Sequence, residues 1–128
     1  TLAEPLLAIL HIGYAFVPAG FLLAALATLL PQSVPAVAAV HAWTAGAIGI
    51  MTLAVMTRAS LGHTGRALTA SPAIVAIYSA AGIGAAARLL AAFSIMRDPM
   101  LHLAAGGWIL AFGGFALSFA PLLCKRRA

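Results

Sequence analysis

Acidic residues are almost missing from this 128-residue chain: Glu4 and Asp98 are the only two. They stand far apart in the sequence, so no carboxylate pair for acid–base chemistry is available. A Ser–His–acid set at a workable depth is excluded for the same reason. Charge of either sign is scarce, at 7% of residues, where a soluble domain carries about a quarter. So little charge cannot cover a water-facing surface, and the outer surface must face lipid. The single cysteine, Cys124, rules out an internal disulfide and a multi-cysteine metal site; beside a terminal basic cluster it reads as a helix-end residue. No Walker A or dinucleotide fingerprint occurs. The first apolar run lacks a basic leader and is too long for a signal-peptide core, so no cleavable signal is expected. The sequence opens on Thr1 rather than Met, as in a processed protein or a piece of a longer one.

What the chain does contain is apolar: 64% hydrophobic residues, 32 of them alanine, with a mean hydropathy of +1.11. The length suits one domain, residues 1–128. Four apolar segments are predicted, roughly 5–30, 35–57, 72–93 and 100–123. Pro31, Gln32, Ser33 and Pro35 separate the first two. The polar stretch from Arg58 to Arg66 separates the next pair, and Ser71 and Pro72 supply a cap and first-turn proline for the third. Arg97, Asp98 and Pro99 make the last break. Each segment is long enough to cross a ~30 Å hydrocarbon core. The fold class is therefore all-α, an integral membrane bundle of four transmembrane helices. Small residues at Ala45 and Gly49, and at Gly106, Gly107, Gly113 and Gly114, allow close helix approach, and a homodimer through such faces is a candidate assembly. Pro18 is expected to kink the first helix.

The net charge of +5 does not indicate nucleic acid, because the bases sit at segment ends rather than along a stripe with interleaved aromatics. Arg58, Arg66, Lys125, Arg126 and Arg127 fall on one side of the membrane with Glu4; Arg97 and Asp98 fall on the other. The positive-inside rule then places both termini in the cytoplasm. The partner is the lipid bilayer.

Ionisable groups within membrane segments usually turn inward and are functional candidates. His41 lies ~9 Å into the second segment from its outer end. His102 starts the fourth, and Arg88 lies near the outer end of the third. His11 and His63 lie toward the cytoplasmic side. The four histidines thus sort by depth into an outer pair, His41 with His102, and an inner pair, His11 with His63, each a candidate metal-ligand set. A lone membrane histidine commonly just hydrogen-bonds a neighbouring helix, and His63 also reads as a solvated loop residue. The face Ala81, Gly84, Ala85, Arg88 is small enough for an interior. Arg88 then suits an anionic group such as a haem propionate, or snorkels to the headgroups. Met96 and Met100 with His102 would suit soft Cu(I). Arg58 and Arg66 flank Gly62, His63, Thr64 and Gly65, where backbone N–H groups could hold an anion.

The stretch HAWTAGAIGIMTLAVMTRASLGHTGRAL from His41 resembles the hallmark segment of the NnrS family. Matching positions are His41, Gly46, Gly49, Met51, Met56, Thr57, Arg58, Gly62, His63, Thr64, Gly65 and Arg66. Arg88, Leu89 and Leu90, and Trp108, Ala111, Phe112, Ala120 and Pro121, are similar to that family too. Typical members are much longer; this chain resembles their C-terminal four-helix part or a short version. The resemblance implies a bacterial inner-membrane protein linked to the nitric oxide response and containing haem and copper. From their shared depth, His41 and His102 are expected to hold the haem b, with Arg88 and Arg97 at a propionate. His11 and His63 would hold a second haem or copper, with Arg58 and Arg66 balancing charge. Nitric oxide is the candidate ligand, although a bis-histidine haem suits electron transfer better than ligand binding. A stand-alone enzyme is not expected, because the segments carry no proton-relay acids. The other reading is a cofactor-free assembly module.

Overall fold

A computed structural model describes residues 4–124. Four helices carry the chain: α1 Pro5–Leu29, α2 Ala36–His63, α3 Pro72–Ala92 and α4 Arg97–Leu123. Each is long and apolar enough to cross a membrane, and no strand occurs among the described residues. The basic cluster Lys125, Arg126 and Arg127 lies outside the described residues.

The helix ends follow from local chemistry. Ser71 caps α3 by accepting the Ile74 N–H at 3.3 Å, with Pro72 in the first turn, where its missing N–H costs nothing. Arg58 and the polar residues after it do not end α2, which continues to His63. The stop is Gly65, whose φ of 67° is the left-handed conformation that glycine adopts freely. The Arg66 N–H then closes on the Leu61 carbonyl at 3.0 Å, satisfying an end carbonyl of the helix. Likewise α4 begins at Arg97 rather than Met100, because Pro99 is compatible with a first turn. Between α3 and α4 the chain reverses within four residues, with Ser94 and Met96 at positive φ. Helix α1 runs on through Pro18, and the neighbouring Val17 carbonyl accepts the Trp43 indole N–H at 3.2 Å.

Helix α2 is the centre of the bundle and touches all three others. Half of its most apolar window is buried, against 22% for α1 and 28% for α4. Helices α3 and α4 form the most intimate pair; α1 packs along α2 and faces α3 across a shallow groove. Large apolar side chains such as Leu117, Ile109 and Leu29 point outward, which is the arrangement a lipid solvent favours.

Helix α2 is not uniform. Ala42–Gly49 is π-helical, between α-helical Ala36–His41 and Ile50–His63. Ala42, Ala45, Gly46, Ala47 and Gly49 are buried in it, so the wider turn meets other helices with almost no side chain in the way. The Thr44 hydroxyl donates to the Val40 carbonyl at 2.7 Å. Such segments insert a residue relative to an α-helix and recur at functional sites.

The α3–α4 contact gives a direct test. A Cβ at Gly107 would lie 2.7 Å from the Ala80 carbonyl oxygen and 2.8 Å from the Gly84 Cα, and backbone cannot yield as a side-chain tip can. A Cβ at Gly106 meets nothing within 4 Å. Gly107→Ala is expected to destabilise the bundle by about 1–3 kcal/mol, read as a lower melting temperature in detergent, and Gly106→Ala to leave it nearly unchanged. Equal shifts for the two would contradict this packing.

Candidate cofactor site

The cavity nearest the Arg88 end of the bundle is lined by His41, Thr44 and Ala45 of α2, Arg88 of α3, and α4 residues that include Ala105 and Trp108. Its volume is about 420 Å³. His41 is the last α-helical residue before the π-helical segment, and both it and Arg88 are half-buried. Both line the same cavity. As the alanine-rich face implies, Ala81, Gly84 and Ala85 below Arg88 are buried.

One wall is Trp108. Gly49 has no Cβ, and the space one would occupy is taken by the Trp108 ring. On the other side the indole stacks on Phe112, with centroids 4.9 Å apart and planes within 6°, an arrangement favourable for aromatic pairs. The ring is thereby fixed as a flat apolar surface beside the polar pair. Sequence reading gave Trp108 no role at the site. Its signal was the glycine at 49, a hole that only an aromatic from a neighbouring helix fills.

The arrangement offers two kinds of chemistry. A neutral imidazole is a metal ligand through either ring nitrogen. A guanidinium presents a planar fork of donors that matches a carboxylate. Arg88 has no acid to neutralise it: no ion pair to it occurs among the described residues, and Asp98 lies in the exposed first turn of α4.

The other residues singled out from the sequence fall elsewhere. His102 is exposed on α4 and does not line the His41 cavity, whose α4 side is formed by its neighbour Leu101 and residues beyond. His11 is exposed, with Nδ1 at 2.8 Å from the Leu7 carbonyl oxygen, in a groove shared with Leu10, Tyr14 and Met51 rather than with His63. His63 ends α2 and is exposed. Arg58 is half-buried on α2, Arg66 is exposed after it, and Arg97 opens α4 at the surface. No group of three His, Cys, Asp or Glu side chains gathers among the described residues.

One buried polar group escaped sequence reading. Tyr78 is 5% exposed, and its hydroxyl makes no hydrogen bond of ordinary geometry; its polar neighbour is the Thr57 hydroxyl, whose proton already goes to the Leu53 carbonyl. An unsatisfied buried hydroxyl costs about 1–3 kcal/mol. Tyr78→Phe is therefore expected to raise the melting temperature of the protein in detergent; a clear fall would show that the hydroxyl is engaged in the membrane-embedded protein.

The family model described as NnrS protein covers residues 1–127. No curated protein and no solved structure matches the chain.

Proposed function

The chain belongs to the NnrS family, and from that premise we propose that it binds haem b in the His41–Arg88 cavity and serves the nitric oxide response, by ligand sensing or by electron transfer. The observation that supports this reading is the meeting of an imidazole and an unpaired guanidinium in one apolar-walled cavity within the span of the membrane helices. Ionisable groups so placed are costly and are kept for function.

The residues present fit a haem held from one side. His41 would supply a ligand nitrogen, and Arg88 would hold a propionate through its donor fork. Ala45, Ala105 and Trp108 leave a small, flat, apolar space for the macrocycle. The lining brings no second imidazole, since His102 stands outside it. When bound, the haem would supply an iron able to exchange an electron or take a diatomic ligand. The chain's own residues fix the ligand, neutralise the propionate and limit water. One haem is proposed, because the groove that holds His11 is lined by Leu10, Tyr14 and Met51. Copper is left aside, since no three His, Cys, Asp or Glu side chains gather among the described residues. By the positive-inside rule, Arg58, Arg66 and both termini would lie on the cytoplasmic side of a bacterial inner membrane.

The test is an absorption spectrum of the purified, haem-supplemented protein, oxidised and reduced, with and without nitric oxide. A Soret band that shifts with nitric oxide is expected. His41→Ala should lower haem affinity by roughly tenfold or more, Arg88→Gln should weaken it less, and His102→Ala should leave it unchanged. A featureless spectrum from a folded protein would sink the haem reading and leave a cofactor-free assembly module. Unchanged haem content in His41→Ala would move the ligand elsewhere.

A further inference from the structure

A second cavity, of about 330 Å³, lies at the opposite end of the bundle, between the α2–α3 connection, the start of α3 and the end of α4. Its polar lining consists of Arg66, Thr69, Ser71 and Ser118, over an apolar floor that includes Phe119 and Leu122. All four polar side chains can donate. The Ser71 oxygen already accepts the Ile74 N–H, so its own proton remains available to an outside acceptor. The Thr69 and Ser118 hydroxyls make no hydrogen bond among the described residues. No carboxylate lines the space, since neither Glu4 nor Asp98 is there.

A guanidinium and three free hydroxyl protons without an acidic partner call for an anion with several acceptor oxygens. Phosphate meets this, because charge-assisted bonds from arginine to phosphate oxygens are among the strong ones. The floor decides what carries the phosphate. Phe119 is nearly buried and Leu122 partly so, and an apolar floor beneath polar donors matches a headgroup with its acyl chains attached. In the sequence, Lys125, Arg126 and Arg127 follow Leu122 closely. We infer that this cavity binds a phosphate group, and that its source is an anionic phospholipid at the membrane surface. The site is separate from the His41–Arg88 cavity and stands whether or not haem binds there.

The full chain in detergent tests this with two probes at equal concentration, dioctanoyl phosphatidic acid and inorganic phosphate, read as melting temperature. A ligand that binds only the folded state raises it. A rise with the lipid and none with inorganic phosphate is expected. Arg66→Gln should raise the half-saturating lipid concentration about tenfold and Ser118→Ala about fivefold, while Arg97→Gln, at the other end of the bundle, should leave it unchanged. An equal rise with inorganic phosphate would overturn the lipid source and keep the phosphate site. No rise with either probe, or equal effects of Arg66→Gln and Arg97→Gln, would overturn the site itself. Should Arg66→Gln fail to fold, Ser118→Ala decides alone, since it removes only a hydroxyl from an exposed position.

Discussion

The close approach of helices through missing Cβ atoms is the constraint on which this bundle depends. Lipid tails are as apolar as leucine, so burying leucine between helices gains little. Contact has to come from fit. Gly49 admits the Trp108 ring, Gly46 admits Phe16, and Gly20 admits Trp43. These three interlocks tie α1 and α4 to α2. The Trp43 indole adds a hydrogen bond to α1, and the Gly84–Gly107 contact draws α3 and α4 together. The His41–Arg88 cavity is a product of this scheme. Its tryptophan wall exists because α2 has a glycine where the ring must lie.

The two cavities divide the molecule's polar chemistry. One pairs an imidazole with a guanidinium among small side chains within the helices; the other gathers hydroxyls and an arginine at a helix end. In a chain with two acids, neither arginine finds a carboxylate among the described residues, and each faces a space that an anionic group would complete. A deficit of acid is thus a structural property: it leaves the positive charge of both guanidiniums without a carboxylate counterpart among the described residues.

Much of the architecture was legible in the sequence. Four apolar runs gave four helices, and Ser71 with Pro72 marked the start of α3. The end of α2 was less so: Arg58 looks like a boundary by charge, but the backbone stops where Gly65 allows a left-handed turn. Depth placed His41 and Arg88 at the same level, and they do share a cavity. Depth gives height and not azimuth, which is why His102, at a similar level, turns outward. The π-helical segment has no signature in the apolar pattern, since alanine and glycine accept either winding, and the unpaired hydroxyl of Tyr78 depends on a neighbour that only packing specifies.

The π-helical stretch also has a consequence for chain length. Because its turns take in a residue beyond α-helical need, α2 stores slack between His41 and the Ile50–His63 half. A deletion within Ala42–Gly49 can be absorbed by tightening to ordinary winding, leaving both flanking halves with their faces toward the same neighbours. The same deletion after Ile50 has no slack to draw on and would turn everything beyond it by about 100°. In α2, tolerance to a lost residue is therefore set by winding as well as by exposure, provided that Gly46 and Gly49 remain to admit Phe16 and Trp108.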